Sequence, residues 1–63
     1  MIVANNLWER DQLRKLNTAE KVRAQIERCE RGQKGAPSVA NAKDWGRKLV
    51  FLDKLLRQVE AGL

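Results

Sequence analysis

Glu27 and Glu30 stand one helical turn apart in the stretch "IERCERGQ", with Cys29 between them and Arg28 and Arg31 alongside. Two carboxylates at that spacing are raw material for acid–base chemistry, and a thiol among cations is raw material for a nucleophile. The remainder of the chain does not complete either device. It holds no histidine, so the commonest general base is missing. Ser38 is the single serine, and its position after "GAP" suits it to cap a helix. Gly32 and Gly35 lack the spacing and the Lys-Ser/Thr ending of a phosphate-binding loop. One cysteine without histidine does not make a zinc site. Acids alternating with arginines are the ordinary solvated face of a helix, and Cys29 reads as a small apolar core residue. The expectation is a protein that is not an enzyme and uses no metal or cofactor.

Charge is the second resource. Thirteen Lys and Arg against eight Asp and Glu leave a net charge of +5, which favours nucleic acid, acidic protein surfaces or anionic lipid as partners. Arg28, Arg31, Lys34 and Lys43 flank the one break in the chain, so a hairpin would gather them at one end as candidate contacts to DNA or RNA phosphates. Against that, acids are interleaved with most of the cations, and no aromatic set suits base stacking. Trp8 and Val50, with the cations Arg47 and Lys48, are candidate contacts to a protein partner. An aromatic or aliphatic anchor beside positive charge fits a partner with an acidic or apolar surface. The segment Ile2-Val3 is a further apolar anchor.

Helices must position these residues. The stretch "RGQKGAPS" contains two of the four glycines and the only proline. Gly32 suits the left-handed residue that ends a helix, Pro37 disfavours helix at Ala36, and Ser38 caps the next helix. This predicts a loop over 32–37 between two helical arms. In the second arm, Ala42, Trp45, Leu49, Leu52, Leu56, Val59 and Leu63 alternate spacings of three and four, a heptad seam. Phe51 and Leu55 widen the seam on one flank, and Val50 falls on the opposite side. Asp44–Lys48 and Asp53–Arg57 are spaced as i,i+4 ion pairs. The pattern predicts a helix over about 38–61. Gly46 inside it costs about 1 kcal/mol relative to alanine, or lets another backbone approach closely.

The first arm predicts a helix over about 6–31, capped by Asn5 or Asn6, with Leu16, Ala19, Val22, Ile26 and Cys29 as its seam. Leu7 and Leu13 drift off that seam. "NTAE" reads as a second start signal, with Asn17 as cap and Glu20 three residues on. The fold class is therefore all-α, an antiparallel helical hairpin, with a three-helix monomer broken near Asn17 as the alternative. The core should hold Leu49, Leu52, Leu56, Trp45, Val22 and Ile26.

A chain of 63 residues buries only about 60% of its unfolded surface, and disulfides within it are excluded by the single cysteine. Pairing two hairpins into a homodimeric four-helix bundle would close the core, with Trp45, Leu49, Leu52, Leu56 and Val59 as the self-association residues. No apolar run approaches the roughly 18 residues of a membrane span. A lone cysteine and no targeting segment point to the cytoplasm. The expected function is that of a small helical regulator, which binds and modulates a partner protein. A basic dimer on DNA or RNA is the alternative. Compact basic chains of this general character are common products of bacteriophages and plasmids.

Overall fold

The computed structural model describes residues 2–62, which form three helices and no strand. Helix α1 spans Leu7–Lys15, α2 spans Ala19–Lys34 and α3 spans Val39–Glu60. Each begins at a side chain that accepts an otherwise unpaired backbone N–H. Asn6 accepts from Glu9, Thr18 from Lys21 and Ser38 from Asn41, at 2.8, 3.2 and 3.1 Å. Leu63, the last position of the expected seam, lies outside the described residues.

The first arm is two helices rather than the single helix expected over 6–31. Leu16 leaves helical geometry with φ −96° and ψ 76°, and Thr18 starts α2 in extended conformation. The cap is thus Thr18, one residue after Asn17, whose side chain instead accepts from the Lys21 ammonium at 3.1 Å. The apolar pattern supplies the physical reason for the break. A continuous helix would turn Leu13 off the seam and run Trp8 past the end of the second arm, which already pairs through Glu60 with Arg23. Folding α1 back lays both against the core.

Helices α2 and α3 form the antiparallel hairpin. Arg23 near the start of α2 pairs with Glu60 at the end of α3, and at the loop end Gln33 Nε2 donates to the Ala42 carbonyl at 3.2 Å. The loop is shorter than the expected 32–37, because α2 continues to Lys34 and ends at Gly35. Gly32 is not the left-handed terminator. It lies within α2, where the Trp45 ring sits on it so closely that a Cβ would be 2.7 Å from Cε2 and Cζ2. The close approach sought at Gly46 is therefore at Gly32. A Cβ on Gly46 would meet only the end of the Gln33 side chain, at 3.3 Å.

Val22, Cys29, Phe51, Leu52 and Leu55 make the buried core. Of the six expected core residues, Val22 and Leu52 are fully enclosed, and Leu49, Leu56, Trp45 and Ile26 are half-buried around them. The buried stripe of α3 is rotated toward Phe51 and Leu55, because α1 and Ile2 cover that flank. Among the described residues, no helix is long and apolar enough to cross a membrane.

Candidate partner-binding groove

Four residues of α3 at spacings of three, four and seven share one face: Arg47, Val50, Phe51 and Lys54. The segment before α1 crosses beside this face and turns the strip into a groove of about 680 Å³, with Ile2, Val3, Asn5, Asn6 and Glu9 as the opposite wall. Local hydrogen bonds fix that wall. Glu9 donates its backbone N–H to the Asn6 side chain, and its own Oε1 accepts the Asn5 N–H at 2.8 Å. Ile2 and Trp8 pack on the core cluster that contains Phe51, and the Trp8 and Phe51 rings meet edge to face with centroids 6.1 Å apart.

The lining mixes apolar side chains, Ile2, Val3, Val50 and Phe51, with the charged Arg47, Lys54 and Glu9. Val50 is 58% exposed and Val3 73% exposed, whereas Phe51 is buried. Burying such a valine is worth about 1.5–3 kcal/mol, so two together at a concave surface favour an occupant. Arg47 and Lys54 are exposed, and among the described residues neither takes part in an ion pair. The carboxylate on the far wall, Glu9, is already engaged as a helix-start acceptor.

Two of the four expected protein contacts, Arg47 and Val50, line the groove; Trp8 and Lys48 do not. Lys48 does not pair with Asp44 as its spacing suggested. Its ammonium lies over two indoles, 5.1 Å from the Trp8 ring centre and 4.7 Å from that of Trp45. A cation there is attracted to both ring faces, and it joins α1 to α3. Trp45 is held in turn by its Nε1–H, which donates to Asn41 Oδ1 at 3.1 Å. The other expected pair, Asp53–Arg57, is formed at 3.0 Å.

Lys54 and Glu9 do not stand out in the sequence. The spacing of Lys54 seven residues after Arg47 is a usable signal, but the participation of Glu9 depends on the path of the N-terminal segment. Arg28, Arg31, Lys34 and Lys43, the candidate nucleic-acid contacts, are all exposed. Arg31 and Lys34 share a shallow cleft of about 300 Å³ with Glu27 and Glu30, whose carboxylates offset their charge. Lys43 lies on α3, outside that cleft. Of the expected self-association residues, Leu52 is fully enclosed in its own chain, and Trp45, Leu49, Leu56 and Val59 are half-buried against the same core.

Two further titratable side chains, Cys29 and Asp11, have shifted pKa values. Burial pushes the Cys29 thiol above its ordinary pKa, an effect only partly countered by the charge of Lys48, so the nucleophilic thiolate is disfavoured. Asp11 is held below the usual carboxylate range, chiefly by its hydrogen bond from Lys15 and further by Arg14, in a local cluster along α1. Among the described residues, no group of acids, cysteines or histidines is placed to hold a metal ion. No protein-family model matches the chain, and no curated protein or solved structure is significantly similar to it.

Proposed function

We propose that this protein is a small non-enzymatic binding module, which regulates a cytoplasmic partner protein by docking it in the groove between the N-terminal segment and α3. The observation that carries this reading is the pair of exposed valines, Val3 and Val50, at a concave surface whose lining also presents Arg47 and Lys54. Apolar area supplies affinity at such a surface, and the cations steer association and orient the partner.

The binding unit in this reading is one chain. A second hairpin was expected to cover the α2–α3 core, but α1 already supplies Trp8 and Leu13 to it. The homodimeric four-helix bundle is the competing arrangement, and it would have to form on the half-buried Leu49, Leu56 and Val59. Contact with DNA or RNA ranks second as a function. Its support is the charge of +5 together with a line of exposed cations, Lys43, Arg47, Lys54 and Arg57, along one side of α3.

Site-specific photo-crosslinking tests the reading. A photoreactive amino acid replaces Val50 in one variant and Ala24, an exposed residue of α2, in another. Each variant is expressed in cells that encode the protein. The expected result is one dominant protein adduct from position 50 and none from position 24. Equal labelling from both positions, or adducts only to a second copy of the chain, would contradict it.

A further inference from the structure

We propose that the occupant of this groove is an acidic amphipathic helix, carrying two carboxylates about seven residues apart around an apolar residue; the proposal rests on the groove being the docking site. Complementarity of spacing and charge supports it. Arg47 and Lys54 are seven residues apart on α3, so their backbones are separated by about 10.5 Å at 1.5 Å per residue. Val50 and the buried Phe51 lie between them along the helix. A partner helix laid along α3 meets this series with its own i, i+3/i+4, i+7 series, acid–apolar–acid. The same spacing on both helices keeps both charge pairs in register with the apolar contact.

The charge pattern gives the occupant a sign. Lys43 and Arg57 extend the exposed face of α3 by one turn beyond Arg47 and Lys54, and the acids of α3 that come nearest, Asp44 and Asp53, project from its flanks. Arg57 is shared with Asp53, and Lys43 lies outside the groove lining, which leaves Arg47 and Lys54 as the groove's sites for carboxylates. Glu9 on the opposite wall repels acids from that side and so sets which edge of the partner helix faces α3. A basic occupant would place its charge against Arg47 and Lys54. A nucleic acid would set phosphates against Glu9 and solvated sugars against exposed valines, and the one aromatic ring in the lining, Phe51, is 6% exposed and closed to base stacking.

Selection of binders from a random 16-residue peptide library on the full-length protein tests the proposal. Enriched peptides should carry Asp or Glu at positions seven apart around an apolar residue. They should bind the Arg47→Glu/Lys54→Glu double variant at least tenfold more weakly, and lysine-for-acid versions should reverse that preference. Both substituted residues are exposed, and an unchanged helical circular-dichroism spectrum shows that the variant is folded. Enriched peptides without acids that lose binding to Val50→Gln would overturn the acidic occupant and keep the groove. Peptides that bind Val50→Gln and the double variant as well as the parent protein would overturn both. A library that yields no binder, beside a DNA duplex whose salt-dependent binding is lost in the double variant, would overturn the acidic helix in favour of phosphate.

Discussion

A methyl group on Gly32 would press into the Trp45 ring at 2.7 Å, whereas one on Gly46 would meet Gln33 Nε2 at 3.3 Å, the atom that donates to the Ala42 carbonyl and has only to give by a few tenths of an ångström. The two positions therefore respond oppositely to alanine. Gly32→Ala should destabilise the protein by about 1–3 kcal/mol, the usual cost of forcing an extra carbon into a packed contact. Gly46→Ala should be neutral or stabilising by up to about 1 kcal/mol, the helix-propensity difference. Urea melts of the two variants measure both; equal and small effects would mean that Trp45 does not rest on Gly32. At this scale the sequence is legible where the interaction is local. Asn6 and Ser38 cap helices because each needs only a backbone N–H three residues ahead. The role of Gly32 is not legible, because it is set by a tryptophan 13 positions away in the chain, and a glycine followed by "QKGAPS" looks like a terminator.

At the scale of elements, Lys48 is a polar link between α1 and the hairpin. The ammonium is shared by Trp8 of α1 and Trp45 of α3. Lys48→Met keeps an apolar stem of similar length and removes only the charge. It should cost about 1 kcal/mol, from two cation–π contacts of roughly 0.5 kcal/mol each at partly exposed sites. Amide exchange in α1 should accelerate more than in the α2–α3 hairpin. Exchange that accelerates equally in all three helices would show that Lys48 does not act as a link to α1. The break between α1 and α2 is only half legible. Asn17 and Thr18 are both good caps, and local sequence does not choose between them. The choice depends on where α1 must go to return Trp8 and Leu13 to the core. The same tertiary demand takes Lys48 away from Asp44, a pairing that i,i+4 spacing alone favours.

The whole molecule measures 36 × 22 × 15 Å, its longest extent close to the roughly 33 Å length of the 22-residue α3. On this frame the candidate site combines the first few residues with the middle of α3, and that explains why only part of it is readable from the sequence. Arg47 and Val50 stand out as a cation beside an exposed apolar residue within one helix. Lys54 resembles any solvated lysine until the N-terminal segment is laid opposite it. Ile2 and Val3 are visible as apolar anchors, but their location requires the fold. The expectation of a homodimer rests on the small core that 63 residues can close. Helix α1 adds Trp8 and Leu13 to that core without a second copy. In this reading one chain closes its own core and leaves the Val3–Val50 groove for a different protein. Light scattering coupled to size-exclusion chromatography, at concentrations up to the millimolar range, tests it most directly. The predicted result is a mass of 7.2 kDa that does not change with concentration or with Val50→Gln. A mass of twice that value, returning to one chain in Val50→Gln, would contradict the claim and make the groove an interface between two copies.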